Sequence, residues 1–193
     1  YDRNHRPLPW RATSDPYRIW ISEIMLQQTQ VATVLPYYAR FLDRFPTLQA
    51  LAAAPPEAVL KAWEGLGYYT RVRNLHAAAR LVVARHGGRL PETRGALLAL
   101  PGIGTYTAGA ILSIAFGQRV AAVDGNVRRV WGRIFATAES GAGSLQELAE
   151  AIVPRRVPGR FNQALMDLGA TVCKPRTPGC SVCPVRDLCH AHA

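Results

Sequence analysis

Four cysteines crowd into one short segment near the end of this chain. Cys173, Cys180, Cys183 and Cys189 follow the spacing C-x6-C-x2-C-x5-C and are the only cysteines present. A secreted disulfide protein spreads its cysteines through the fold, so this pattern indicates a metal or cluster site in a reducing compartment. Zinc ribbons use two separated C-x2-C pairs, whereas one pair flanked by single cysteines encloses one compact object. The spacing therefore predicts four thiolate ligands of a [4Fe-4S] cluster, with zinc or free thiols as the alternatives.

The charge of the chain restricts its partners. Its 193 residues carry a net charge of +10 and give a pI near 10.1. A balance this basic favours a polyanion, either nucleic acid or an anionic membrane face. The apolar fraction of 49% excludes wholesale disorder, and no apolar run is long enough to span a bilayer.

Apolar residues recur at intervals of three and four along the chain and seldom alternate, which predicts an all-α fold. Asp15-Pro16 reads as an N-cap followed by a first-turn proline, the start of a helix through about Gln28. Further helices are predicted over residues 31–45, 47–54, 57–64, 69–85, 124–135, 144–153 and 158–172, and two more, over 93–100 and 107–116, flank residues 101–104.

The segment L-P-G-I-G at Leu100–Gly104 predicts a glycine hairpin between two short helices. Gly102 and Gly104 permit a tight turn and let backbone N–H groups approach a ligand closely. The next helix is expected to begin at about Thr105, and its free N–H groups and dipole favour an anion. Such a helix-hairpin-helix binds DNA phosphate without reading sequence. An ordinary helical corner is the alternative, and the basic charge of the chain favours DNA.

Glu23 is the only charged residue in the apolar run I-W-I-S-E-I-M-L at Ile19–Leu26. Burial disfavours an ionised carboxylate, so the pKa of Glu23 is expected to be raised. A carboxyl group that stays protonated near neutral pH can serve as a general acid. The alternative is a glutamate at the rim of a buried helix, neutralised by arginine.

Asp124 opens the helix V-D-G-N-V-R-R-V, whose apolar face is predicted to comprise Val127, Val130, Trp131 and Ile134. Taken alone, an aspartate at this position is an N-cap. Asp124 also follows the glycine hairpin by one helix, so it would face the DNA duplex that the hairpin binds. Two carboxylates in different environments are the groups expected to hydrolyse a glycosidic bond.

Together these motifs resemble the MutY family of adenine DNA glycosylases, within the helix-hairpin-helix glycosylase superfamily. The similarity covers nearly the whole chain. Its motifs are L-P-W-R at 8–11, S-E-I-M-L-Q-Q-T at 22–29, G-L-G-Y-Y at 65–69, L-P-G-I-G-x-Y-T-A at 100–108, V-D-G-N-V at 123–127, and the cysteine loop.

The resemblance implies two helical lobes with a DNA cleft between them. A six-helix barrel lobe carrying the helix-hairpin-helix would span residues 16–122. Residues 1–15 and 123–193 would form an iron–sulfur cluster lobe, and Glu23 and Asp124 would face each other across the cleft.

The resemblance also assigns roles to individual residues. Glu23 matches the general acid of the family and Asp124 its essential aspartate. Asn126 matches a polar residue that supports the reacting sugar, and with Tyr106 it is expected to help position Asp124.

Four further positions match residues that contact DNA in this family. Gln28 and Tyr68 match residues that wedge into the base stack. Trp10 and Arg11 match positions that line the pocket for the flipped base.

The implied activity is hydrolytic removal of adenine mispaired with 8-oxoguanine or G. Relatives that also cut the DNA backbone carry a catalytic lysine just after the hairpin, where this chain has Tyr106. A monofunctional glycosylase is therefore predicted, and an endonuclease III-like bifunctional enzyme is disfavoured. A thymine or uracil glycosylase acting opposite G, and a non-catalytic iron–sulfur DNA-binding module, remain alternatives. The run Gln27–Thr29 favours the adenine enzyme.

The expected partner is double-stranded DNA bearing an A:8-oxoguanine or A:G mispair, bound by a monomer in the cytoplasm at a bacterial-type nucleoid. The chain lacks an initial Met and stops soon after Cys189. We expect it to be part of a longer protein, because the family carries a further Nudix-like domain that recognises 8-oxoguanine.

Overall fold

Every regular element in the computed structural model, which describes residues 5–136 and 142–192, is helical. The prediction of an all-α fold is thereby confirmed. Across the described ranges, no helix is both long enough and apolar enough to cross a membrane. The chain divides into two compact units, the first comprising Pro7–Phe116 and the second Tyr1–Arg6 with Gly117–Ala193.

The first unit is built from seven α-helices and a short 3-10 turn at Pro9–Arg11. The helices are α1 Pro16–Leu26, α2 Val31–Arg44, α3 Leu48–Ala53, α4 Pro56–Trp63, α5 Thr70–His86, α6 Arg94–Leu98 and α7 Thr105–Ile114. Its core comprises large side chains with less than 2% exposure, among them Trp20, Trp63, Phe41, Leu75 and Ile111.

Helix α1 lies at the centre of the first unit. It starts as predicted, because Asp15 Oδ1 accepts hydrogen bonds from the Tyr17 and Arg18 amides at 2.8 and 3.4 Å and Pro16 occupies the first turn. Eight of its eleven residues are buried, and it packs against α2, α5, α7 and the 3-10 turn. A helix enclosed on so many sides fixes the depth and direction of any polar side chain that it carries.

The second unit contains α8 Gly125–Ile134, α9 Ala142–Ile152, α10 Pro158–Asp167 and the π-helical segment Leu168–Val172. Two 3-10 turns, Cys180–Val182 and Arg186–Leu188, follow in the cysteine loop. The predicted apolar face of α8 is confirmed, since its four residues are all buried and belong to a core shared with α9 and α10. That core leaves the start of α8 and its arginines free to form a polar site.

The two units divide the chain at other positions than the predicted lobes, so that residues 7–15 join the first unit and 117–122 the second. The 3-10 turn before α1 packs on that helix. Arg119 Nε donates to the Val153 carbonyl at 2.7 Å, and the Ala122 amide donates to Asn162 Oδ1 at 3.3 Å. Packing on α1 and hydrogen bonds to residues after α8 therefore set these boundaries.

Two predicted helices end differently. Helix α1 stops at Leu26, before Gln28, whose φ of 55° is left-handed. The helix predicted over 158–172 is α-helical only to Asp167 and continues as a π-helix. There Thr171 Oγ1 donates back to the Asp167 carbonyl at 2.7 Å, and Gly169 lies against Asn126. Apolar periodicity encodes neither the left-handed turn after α1 nor the contact of Gly169 with Asn126, so it did not predict these two ends.

Candidate functional site

Glu23 lies inside the first unit with only 6% of its surface exposed. The Tyr106 hydroxyl donates a hydrogen bond to Glu23 Oε2 at 2.6 Å. The pairing arises because α7, which begins at Thr105 directly after the hairpin, packs against α1. A buried carboxyl group with a phenol at hydrogen-bond distance can give or take a proton in surroundings that exclude most water.

Asp124 lies at the start of α8 and uses its two carboxylate oxygens separately. Oδ1 accepts from the Val127 amide at 2.7 Å and so caps the helix, as the sequence predicted. Oδ2 accepts from Asn126 Nδ2 at 3.0 Å. The carboxylate is half-buried at the start of the helix. Capping therefore occupies only one of its oxygens.

Arg129 joins this site to the cysteine loop within the second unit. Its Nη2 donates to Asn126 Oδ1 at 2.8 Å and to the Gly169 carbonyl at 2.7 Å. Its Nε donates to the Cys173 carbonyl at 2.8 Å. Hydrogen bonds thus run from Cys173 through Arg129 and Asn126 to Asp124. Sequence reasoning missed Arg129, because an arginine on a helix gives no sign of the backbone carbonyls that it binds.

A buried asparagine and a half-buried glutamate hold the segment that leads into Asp124. Asn162, with 1% exposure, accepts from the Ala122 amide and donates from Nδ2 to the Val120 carbonyl at 2.9 Å. Glu150 Oε2 accepts from the Ala121 amide at 2.9 Å. These hydrogen bonds provide partners for backbone groups that belong to no helix. They thereby hold in place the residues that directly precede Asp124. No sequence motif marked either residue.

The glycine hairpin between α6 and α7 forms as predicted, and the chain contains a helix-hairpin-helix. Gly102 has a φ of 78°, and a Cβ there would come within 2.9 Å of Asn74 Cβ. Gly104 is exposed, and a Cβ there would meet no atom within 4 Å. The first glycine is therefore required by the turn, whereas the second leaves open space before the first amides of α7.

The remaining predicted DNA-contact residues all lie in the first unit. Gln28 and Tyr68 are exposed, Tyr68 by 61%, and both have left-handed backbone with φ of 55° and 50°. Trp10 is buried edge-on against Tyr38, with ring centroids 5.1 Å apart, whereas Arg11 is half-buried. Gln28 and Tyr68 thus present side chains to solvent, while most of the Trp10 ring is enclosed.

The four cysteines line one cavity of about 150 Å³ in the second unit. All four are half-buried and none forms a disulfide. Arg133 Nη1 donates to Cys173 Sγ at 3.3 Å, which places a positive charge beside one sulfur. In the part of the chain that the structure describes, no three His, Cys, Asp or Glu side chains converge closely enough to hold a single metal ion. The four cysteines thus share one cavity, with an arginine beside one of them.

Residues 21–166 match the family described as HhH-GPD superfamily base excision DNA repair protein. The chain belongs to this superfamily. Its helix-hairpin-helix and its all-α fold agree with that membership. The adenine DNA glycosylase of Rattus norvegicus is 50% identical over 206 residues, which cover 100% of this chain and 40% of that relative. The chain thus spans less than half the length of this curated relative.

Solved structures of the HhH-GPD type have the same fold. A thermostable thymine-DNA glycosylase gives a TM-score of 0.90 at 37% identity, over 97% of this chain and 88% of that chain. A non-covalent complex of endonuclease III with DNA gives 0.82 at 26% identity, over 92% and 84%. The similarity to these solved structures therefore includes residues of both units of this chain.

Proposed function

We propose that this chain is the catalytic part of an adenine DNA glycosylase, which hydrolyses the N-glycosidic bond of adenine mispaired with 8-oxoguanine or G. The observation that carries the proposal is the hydrogen bond between the buried Glu23 and the half-buried Tyr106, with the hydroxyl 2.6 Å from the carboxylate oxygen. Half of all residues are identical to those of an adenine DNA glycosylase across the whole chain.

Glu23 is the group that protonates the base. Adenine leaves poorly as an anion, so a proton delivered to the purine ring is needed before the glycosidic bond breaks. Glu23 is enclosed in an apolar helix and touches the Tyr106 hydroxyl, which orients the carboxyl group and excludes competing water. Tyr106 is the positioning partner in this step.

Asp124 is the group that stabilises the sugar. Loss of the base leaves oxocarbenium character on the deoxyribose, and a fixed carboxylate nearby lowers the energy of that positive charge. Asn126 holds Oδ2 of Asp124 and is itself held by Arg129. Water then completes the hydrolysis.

DNA binding rests on features of the first unit. The hairpin offers the open space at Gly104 and the N-terminal end of α7 to a phosphate, with the tight turn at Gly102 behind them. Gln28 and Tyr68 enter the base stack while the adenine swings out, which costs a few kcal/mol. Trp10 and Arg11 complete the pocket for the extruded base. The net charge of +10 supports binding of the backbone.

The reaction ends at the abasic site. Strand cleavage by the lyase route needs an amine that forms a Schiff base with the sugar. Tyr106 provides none, and Lys61 and Lys174 are the only lysines. Lys61 pairs with Glu64 on the surface of α4.

We also propose that Cys173, Cys180, Cys183 and Cys189 hold a [4Fe-4S] cluster. A zinc ion would draw four sulfurs to about 2.3 Å from one point. Four sulfurs around a cavity of about 150 Å³ suit a cluster of several irons better. When bound, such a cluster supplies a rigid four-point anchor and a redox-active centre. Arg133 and Arg129 tie this loop to α8.

A thymine glycosylase is the second candidate, because a thymine-DNA glycosylase gives a TM-score of 0.90. A single-turnover assay on duplexes with A opposite 8-oxoguanine, A opposite G, and T or U opposite G separates the two. Strand breaks that appear only after alkali, and only on the adenine duplexes, are expected. Breaks at T or U instead would support the second candidate. Breaks without alkali, with borohydride-trapped adducts, would contradict the monofunctional assignment.

A further inference from the structure

Arg71 on α5 binds an unusual number of backbone carbonyls from two separate segments. Its guanidinium is half-buried between them, and no carboxylate pairs with it among the described residues. Nη1 donates to the carbonyls of Ile24, Met25 and Gln27, and Nη2 to those of Leu66 and Gly67. One side chain thus spans the end of α1 and the turn before α5.

The first segment is the C-terminal end of α1. The last carbonyls of a helix have no partners within it, and a cation there also complements the helix dipole. Arg71 takes the carbonyls of Ile24 and Met25 at 3.1 and 2.8 Å and also binds that of Gln27. Helix α1 ends there, and Gln28 follows with left-handed backbone.

The second segment is the glycine turn before α5. Nη2 of Arg71 donates to the Leu66 and Gly67 carbonyls at 3.3 and 3.2 Å. The guanidinium carbon lies 5.5 Å from the centroid of the Trp63 ring and 5.3 Å from that of Tyr68. Tyr68 has left-handed backbone. Its ring lies against the guanidinium that also binds the Leu66 and Gly67 carbonyls just before it in the chain.

Left-handed backbone is unfavourable for Gln and Tyr and persists only where neighbouring contacts enforce it. Both left-handed non-glycine residues of the first unit, Gln28 and Tyr68, directly follow a carbonyl that Arg71 binds. Burial lowers the pKa of the Arg71 guanidinium, which still stays protonated at neutral pH. Its charge and its planar fork are both available to hold the two turns.

We propose that Arg71 is the positioning residue that sets Gln28 and Tyr68 at a fixed separation for entry into the base stack. The proposal rests on the proposed function, in which these two side chains replace the extruded adenine. Lysine has the charge but only one donor centre, so it cannot reach carbonyls on both segments at once. Arg71 touches neither the base nor the sugar and acts through the two turns.

Hydrogen exchange tests the structural half without any activity. In Arg71→Lys, exchange is expected to rise together in peptides covering residues 24–30 and 64–70, while exchange in the hairpin at 100–106 stays as in the wild type. Arg80→Lys, at an exposed arginine of the same helix, is the matched control and should change neither peptide. Faster exchange in only one segment would overturn the bridging role.

If Arg71→Lys does not fold, hydrogen exchange of the wild type can test the same bridging role. Because one guanidinium holds both segments, their amides should open together with the same dependence on added denaturant. Independent opening of residues 24–30 and 64–70 would overturn the proposal.

A double-mutant cycle tests the functional half. Arg71→Lys should lower single-turnover excision about tenfold or more in the wild-type background, but less than about threefold when Tyr68 is already alanine. Equal losses in both backgrounds would mean that Arg71 acts only on stability, and would overturn positioning.

The two hypotheses can fail separately. Fluorescence of 2-aminopurine opposite guanine reports unstacking without excision, and Arg71→Lys should reduce its rise on binding. An inactive wild type that still unstacks 2-aminopurine, with a smaller rise in Arg71→Lys, would refute the proposed function and support positioning. An active wild type with unchanged unstacking in Arg71→Lys would refute positioning alone.

Discussion

Glu23 and Asp124 are held by different kinds of contact. The partner of Glu23 is Tyr106, 83 residues away in sequence, whereas Asp124 bonds to residues two and three positions ahead. Glu23 therefore depends on the packing of α1 against α7. Asp124 depends first on the start of its own helix, and then on Arg129 and Gly169, which hold Asn126. The same chemical group is thus placed by tertiary packing in one unit and by helix capping in the other.

The largest effects are expected from removing each charge. Asp124→Asn should lower single-turnover excision by about 10²–10³, because a neutral amide cannot stabilise the sugar cation. Asparagine caps helices as well as aspartate does, so the melting temperature should change little. Glu23→Gln keeps an oxygen for Tyr106 but cannot deliver a proton, and a similar loss is expected. Near-normal excision by either variant, with DNA binding intact, would refute its assignment.

The next largest effect probes the support of Asp124. Gly169→Ala would place a methyl group 2.6 Å from Asn126 Cβ and 3.0 Å from its carbonyl oxygen. Backbone must then shift, and urea denaturation should show a free energy of unfolding lower by about 1–3 kcal/mol. Excision should fall as Asn126 moves away from Asp124.

Gly125→Ala is the matched control for that substitution. It lies in the first turn of α8 beside Asn126, but its added Cβ would meet no atom within 4 Å. Stability should stay equal or rise by up to about 1 kcal/mol, because alanine favours a helix over glycine. Equal losses in both variants would show that contact with Asn126 is not the cause.

A smaller effect is expected on the side of Glu23. Tyr106→Phe removes one donor from a buried carboxylate, and such bonds contribute about 1.5–3 kcal/mol. Single-turnover excision should fall about tenfold, measured with enzyme in excess over duplex. Tyr37→Phe, where the ring lies under Arg40, is the control and should leave the rate unchanged. An unchanged rate in Tyr106→Phe would mean that packing alone orients Glu23.

The smallest effect comes from the capping aspartate of the other unit. Asp15 caps α1 as Asp124 caps α8, since its Oδ1 accepts from the Tyr17 amide at 2.8 Å. Asp15→Asn should change the free energy of unfolding by less than about 0.5 kcal/mol and leave excision within twofold. A loss as large as that of Asp124→Asn would attribute the effect to capping rather than to chemistry. Thermal melting and the same excision assay measure both.

Local chemistry made part of this molecule predictable. The cap at Asp15, the apolar face of α8 and the glycine hairpin all follow from residues close together in sequence. The arginines that donate hydrogen bonds to the site segments could not be predicted in this way. Arg71 and Arg129 bind backbone carbonyls of segments more than forty positions away, and a carbonyl carries no side-chain signature. In the sequence, many helical arginines could bind such carbonyls, so only the fold identifies these two.

The division of the chain has a consequence for its biosynthesis. Residues 7–116 are contiguous and include Glu23, Tyr106 and the hairpin, whereas the first cysteine is residue 173. Translation at about 5–20 residues per second leaves a few seconds between them, longer than small helical domains need to fold. We therefore expect the Glu23 unit to form on the ribosome before any thiol is made. If the cysteines hold the proposed [4Fe-4S] cluster, a cell short of iron would then contain chains in which the unit with Glu23 is folded and the cysteine loop has no cluster to anchor it.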